Sequence, residues 1–362
     1  TMNDLNNNNN NIYITNYLSF LSSPLPSHLK MESGAKFISS IRKSVDFITF
    51  SIDDAEVKDG LIKILEAGGF SSRRNDKISK GNYNFKWRFH HPADNVTVDI
   101  FYGLRKPSPV IPPIRIKIHD PNRETVDYLT KAFICKKIKT TLSEIELTFD
   151  FFSEDTKKVW DLIVSSLFQF HQRKSSSIYL DDVCGNTFYT TNIRKTRHFG
   201  MRVYEKTFPD KMKAARMELV LKADRIRDMD LALPLDNLDE IPLRNFFEFK
   251  IFDVAELLEY IKRIGLEEIP NPHYEASAKP MLWVHDYLMN SESLMQIYEK
   301  LKAHSAVFIN YIRFIPCFEE FQEIFESKIS GQKFLATREE RRAFNKGLKS
   351  SSTPQQPSKK NT

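Results

Sequence analysis

"EIELTFDF", residues Glu144 to Phe151, alternates apolar and polar residues without a break. Successive strand side chains point to opposite faces. Ile145, Leu147, Phe149 and Phe151 therefore share one face, and Glu144, Glu146, Thr148 and Asp150 the other. Two later stretches sort in the same way. In "FGMRVYEK" (199–206), Phe199, Met201 and Val203 oppose Arg202, Tyr204 and Lys206. In "ARMELVLK" (215–222), Met217, Leu219 and Leu221 oppose Arg216, Glu218 and Lys222. Three strands with one greasy and one charged face predict a sheet covered on one side only.

Working outward, "TKKVWDLIVSSLFQFHQ" after the first of these strands reads as a helix, and "NTFYTT" as a further strand. The first half repeats the order. "VDFITFSID" (45–53) reads as a strand and "AEVKDGLIKILEAGG" as a helix. "NFKWRFHH", "VTVDIFYG" and "IRIKIHD" read as strands, and "NRETVDYLTKAF" as a second helix. Strand, helix, then several strands in both halves hints at two related lobes. From about residue 250 the periods become helical, in "FDVAELLEYIKRIG", "SESLMQIYEKLKAH" and "TREERRAFNKG". The expectation is an α+β fold with largely antiparallel sheets and helices on one face. It has a core over 34–270, a C-terminal helical module over 271–348, and disordered tails at 1–33, which is Asn-rich, and 349–362, which is basic.

With 362 residues, 41% hydrophobic and 28% charged, the chain suits a globular class. No apolar run approaches the ~20 residues of a membrane span. The opening "TMNDLNNNNNNIYITNYLSF" lacks the basic segment and apolar core of a secretion signal, which points to the cytoplasm. Cys135, Cys184 and Cys317 lie far apart and read as buried thiols, without zinc spacing. His90 and His91 are adjacent, so a strand would turn them to opposite faces.

The net charge of +6 is unevenly distributed. Residues 194–227 carry eleven Lys/Arg against four Asp/Glu, and residues 328–360 nine against two. Between them, residues 228–271 carry four against eleven. Two basic blocks flanking an acidic one suit a polyanion, most simply nucleic acid.

If the three charged faces belong to one sheet, Glu146, Asp150 and Glu218 gather near Tyr204. Grouped carboxylates repel unless they are solvated or hold a hard divalent cation. A phosphate then fits between that ion and Arg202, Lys206 or Arg216. A phenol attacks at neutral pH only when its proton is removed or its anion stabilised. An ordinary half-exposed sheet, with Tyr204 as one of thirteen tyrosines, stays open on spacing alone.

The order "EIELTFDF", helix, "NTFYTTNIRKTRHFGMRVYEK", "ARMELVLK" resembles the Rep_trans-type (replication initiation factor) rolling-circle replication initiators of plasmids and phages. The likeness spans about residues 45–260. The resemblance implies that Tyr204 cuts DNA and stays joined to the 5′ phosphate, with Arg202 and Lys206 beside it. It implies that Glu146, Asp150 and Glu218 hold Mg²⁺ or Mn²⁺, and that Arg194, Lys195, Arg197, Arg216 and Lys222 contact DNA. Origin DNA, double- and single-stranded, is the implied partner, with a host helicase and a homodimer. The chain departs from the family pattern in Glu146, an acidic position usually Asp, in Glu144, where the family has arginine, and in "TTNIRKT", which lacks the usual glycine and serine. A non-catalytic origin or single-strand binder on the same scaffold, and a relaxase for conjugative transfer, are the alternatives.

Overall fold

A computed structural model describes residues 37–169, 177–181, 185–189, 196–252 and 317–351. The first half runs β1 (Ile38–Ile52), α1 (Lys58–Ala67), β2 (Ser71–Lys77), β3 (Tyr83–His91), β4 (Val96–Leu104), β5 (Ile114–His119) and α2 (Arg123–Cys135). The second runs β6 (Thr141–Ser153), α3 (Thr156–Ser166), β7 (Leu167–Gln169), β8 (Ser177–Asp181), β9 (Gly185–Tyr189), β10 (Phe199–Thr207), β11 (Lys213–Lys222) and α4 (Ala223–Asp228). Short strands β12 (Phe247–Phe249), β13 (Ile251–Phe252) and β14 (Cys317–Phe318) follow, then α5 (Glu320–Ile329) and α6 (Arg338–Ser351).

Ten strands form one sheet in the order β2-β3-β4-β5-β1-β6-β11-β10-β9-β8, every neighbouring pair antiparallel. The order reads outward identically from the β1–β6 seam. Each half opens with its central strand, crosses by a helix to the outer edge, and returns strand by strand to pair with the strand it began from. The α+β class and antiparallel pairing expected from the sequence are what the structure has, and the recurring element order is its symmetry. At the middle of the seam Ser44 Oγ and Thr148 Oγ1 lie 2.8 Å apart.

Alternation builds the core on one face. Ile145, Leu147, Phe149 and Phe151 of β6 have no exposed surface, nor do Met201, Val203, Met217, Leu219 and Leu221. Leu61, Ile64 and Leu65 of α1 and Val126, Leu129 and Phe133 of α2 cover the first half. Val159, Leu162 and Ile163 of α3 cover the second. Side-chain caps start two of these helices: Asn122 Oδ1 accepts from Thr125 N at 2.8 Å, and Asp155 Oδ1 from Lys158 N at 3.0 Å.

The helix expected over 156–172 ends at Ser166, and the chain continues as β7, paired with β12. The last helical bond runs from Leu167 N to the Ile163 carbonyl, and Leu167 itself turns to extended backbone, ψ 116°, to pair with Phe249. Helix "TREERRAFNKG" is present as α6, whereas residues 253–265 and 291–304 lie outside the described residues. Phe321 and Phe325 of α5 join the main core against Phe149 and Phe151, so this part of the C-terminal region packs on the sheet. Cys135 is exposed, correcting the expectation of a buried thiol. Phe133 faces the core, and two residues further around a helix point away from it. No helix among the described residues is long and apolar enough to cross a membrane.

Candidate functional site

The opposite face of the sheet carries a ladder of ion pairs across β1, β6, β11 and β10. Antiparallel register sets Arg202 opposite Glu218, Tyr204 opposite Arg216, and Arg216 opposite Asp150. Asp150 in turn lies opposite Arg42. Side chains directly opposite on one face are close enough to pair.

Asp150, with no exposed surface, is held by two guanidiniums. Arg216 Nε donates to its Oδ1 at 2.6 Å and Nη2 to Oδ2 at 2.9 Å, while Arg42 Nη2 donates to Oδ2 at 2.7 Å. Burial pushes this carboxyl up, but Arg216 and Arg42 outweigh it and hold it below the usual range. Arg216 Nη1 reaches further, to Asp46 Oδ1 at 2.6 Å, and Lys206 Nζ stands 3.6 Å from the same oxygen.

Asp46 reaches this position through a β-bulge. Val45 pairs with Leu147, yet Phe47 pairs with Glu146, leaving Asp46 as the extra residue. Arg42 and Asp46 are members of the cluster that sequence reasoning missed.

Arg202 joins the other two carboxylates. Its Nη2 donates to both oxygens of Glu146 at 3.2 Å, and its Nε donates to Glu218 Oε2. Tyr204 donates its hydroxyl hydrogen to Glu218 Oε1. Glu146 and Glu218 are both buried and share this guanidinium, and Arg216 Nη1 stands 3.9 Å from Glu218 Oε1. Burial, and then the Glu218 charge, push the Glu146 carboxyl well above the usual carboxylate range. Burial and the Glu218 carboxylate likewise raise Tyr204, so its phenol is protonated at neutral pH. Burial disfavours the Arg202 cation, but Glu218 and Glu146 outweigh it and raise its pKa.

Carboxylate oxygens are what a hard divalent cation takes. Glu146 and Glu218 come nearest to that chemistry, but both already accept from Arg202, and Glu218 Oε1 also accepts from Tyr204 and lies 3.9 Å from Arg216 Nη1, so an ion would have to displace Arg202. Asp150 does not fit it, because its oxygens are committed to Arg216 and Arg42. Among the described residues, no group of three or more His, Cys, Asp or Glu side chains is placed to hold a metal ion.

The residues expected to touch DNA are dispersed. Arg194 and Lys195 lie outside the described residues, and Arg197 is exposed. Arg216 is 2% exposed and sealed in the ladder, so a phosphate does not reach it as expected. Lys222 Nζ pairs with Glu144 at 2.8 Å. Arg202 and Lys206, two residues to either side of Tyr204 on the same face of β10, keep side-chain exposures of 30% and 32%. His91 pairs with Asp94 at 3.4 Å and packs on Phe70.

No family model matches the chain, and no curated protein matches it in sequence.

Proposed function

We propose that the protein nicks and rejoins DNA through Tyr204, as a rolling-circle replication initiator would. The observation that carries this reading is the Tyr204 hydroxyl donating to a buried carboxylate, Glu218, with the partly exposed cations Arg202 and Lys206 flanking it on β10. Glu218 takes the phenolic proton as the Tyr204 oxygen attacks phosphorus. The bond from phosphorus to the 3′ oxygen breaks, the proton passes on to that oxygen, and the 5′ phosphate remains on Tyr204. Rejoining is the same exchange in reverse. Arg202 and Lys206 face the charge that grows on the phosphoryl oxygens. Arg216 and Asp150 do not touch DNA in this scheme; they hold β11 and β6 in the register that sets Glu218 under the phenol. Glu146 and Glu218, with Arg202 displaced from them, would hold Mg²⁺ or Mn²⁺, which when bound polarises the phosphate.

The test is a covalent adduct. Full-length protein is incubated with Mn²⁺ and a pool of 3′-labelled single-stranded DNA, then denatured. Label retained on the protein, with nucleotide mass on the peptide containing Tyr204, supports the reading. Label bound before denaturation but absent after it removes the reading.

A second reading, a DNA-binding protein without nicking activity, is favoured by one observation. Asp46, Glu146, Asp150 and Glu218 each already have a cationic partner, and Tyr204 is 8% exposed. On that reading the ladder is the structural glue of the seam. Retained DNA affinity without any adduct is its signature.

A further inference from the structure

We propose that a cleft in the first half of the sheet binds a nucleoside phosphate, its base against Phe101 and its phosphate on Arg115 and Lys117. The cleft, of about 300 Å³, lies on the charged face between β1, β4, β5 and the turn joining β2 to β3. That volume is at the lower end of small-ligand sites. It does not depend on whether Tyr204 cuts DNA.

Three cations line it, Lys80, Arg115 and Lys117. The Arg115 Nε is buried without a hydrogen-bond partner among the described residues. A buried donor left unmade is costly, so a site that leaves one suits an incoming acceptor. Lys117 stands opposite Thr49 on the same face, its Nζ 3.3 Å from the centre of the Phe47 ring. Burial lowers the pKa of this ammonium, which an anion would counter. The one carboxylate on the wall, Glu144, is already matched by Lys222. The balance of charge inside is therefore positive.

An aromatic surface completes the cleft. Phe101 is the direct cross-strand partner of Arg115 and is half-buried. Its ring lies 6.1 Å from that of Tyr83, whose hydroxyl is fixed on the Pro112 carbonyl at 2.8 Å. Guanidinium beside an open aromatic ring matches a phosphate beside a base, since every base offers a flat face to stack. Glu144 also ties the cleft to the ion-pair ladder. It precedes Glu146 by two residues on the same face of β6, about 7 Å along a strand. The nucleotide is either one residue of a bound single strand or a free molecule.

The experiment titrates full-length protein with a labelled short oligothymidylate, and separately with thymidine and adenosine 5′-monophosphates by calorimetry. It compares the unaltered chain with Arg115→Gln and Phe101→Leu, which keep most of the side-chain volume, and uses melting temperature to confirm folding. Arg115→Lys is added because it restores the charge. The expected result is at least about a tenfold loss of affinity in Arg115→Gln and Phe101→Leu, the scale of a single base stack or phosphate pairing, with partial recovery in Arg115→Lys. Loss confined to the oligonucleotide assigns the cleft to a strand, and loss with the monophosphates to a free nucleotide. Unchanged affinity in both folded variants, or no binding of any of these ligands, overturns the proposal.

Discussion

Tyr204 and Glu218 meet on the diagonal of the β10–β11 pair: Tyr204 is directly opposite Arg216 and Glu218 directly opposite Arg202, yet the phenol donates to the carboxylate. The hydrogen bond holds the phenol as an acid with a ready proton acceptor. Tyr204→Phe keeps the ring and removes only the oxygen proposed to attack. Adduct formation is expected to vanish, while DNA affinity and melting temperature stay near those of the unaltered chain. A labelled adduct in this variant would move the nucleophile elsewhere.

Titration offers a check without DNA. Burial and Glu218 raise the Tyr204 pKa above the ordinary value of 10.0. A raised pKa means that the contribution of this group to stability is present below 10.0 and is lost as pH rises above it, because the unfolded chain then releases the proton more readily. Melting temperature against pH should therefore fall less steeply above pH 10 in Tyr204→Phe. Identical alkaline slopes would mean that the phenol is not held as described.

Glu146 gives the same sign at acidic pH. Its carboxyl is pushed well above 4.5, so its contribution to stability is complete below the unfolded pKa and declines as pH rises through the folded one. Glu146→Gln should flatten that decline and leave the protein at least as stable at neutral pH. A Mn²⁺-induced rise in melting temperature, if the ion uses this carboxylate, should shrink in the same variant.

Arg216→Ala leaves Asp150 and Asp46 without their shared guanidinium. Removing one partner of a buried pair costs about 3–5 kcal/mol. Denaturant unfolding should show a loss of that size, and Arg216→Met with Asp150→Leu should recover much of it. A loss under about 1 kcal/mol, the range of exposed pairs, would contradict the burial described.

The C-terminal basic block divides by role. Arg341 donates to the Asp120 carbonyl at 3.0 Å and to that of Pro121, while Leu348 and Phe344 pack with Phe152, Ala214 and Phe208. Arg342 and Lys346 are exposed. Arg342→Gln with Lys346→Gln should reduce the salt slope of duplex binding by about 0.9 for each phosphate that is no longer neutralised, without unfolding. An unchanged slope would exclude this helix from the DNA surface.

Much of this arrangement was legible because alternation is a strong signal. The parity of Glu146, Asp150, Arg202, Tyr204, Arg216 and Glu218 follows from spacing alone, and the sheet places all six on one face. Which of them pair was not legible, because register depends on strands distant in sequence. Asp46 is the clearest case. It sits within "VDF", where alternation puts it on the polar face, but only the bulge opposite Glu146 turns it to Arg216. Strand β2, "SSRRNDK", was missed because it has no apolar alternation; it is an edge strand, paired on one side only. Charged residues belong there, since they discourage further strand addition.

The seam also has a consequence for how the chain is made. β1, at 15 residues, and β6, at 13, are the longest strands among the described residues, and each is the inner border of its own half. Until the ribosome has released residues 141–153, the first half ends in a bare edge rich in Ile, Val and Phe, with nothing to satisfy its outward amides and carbonyls. A nascent chain paused there presents a template for pairing with its neighbours on the polysome. Expression yield should thus depend on how quickly the second half follows the first.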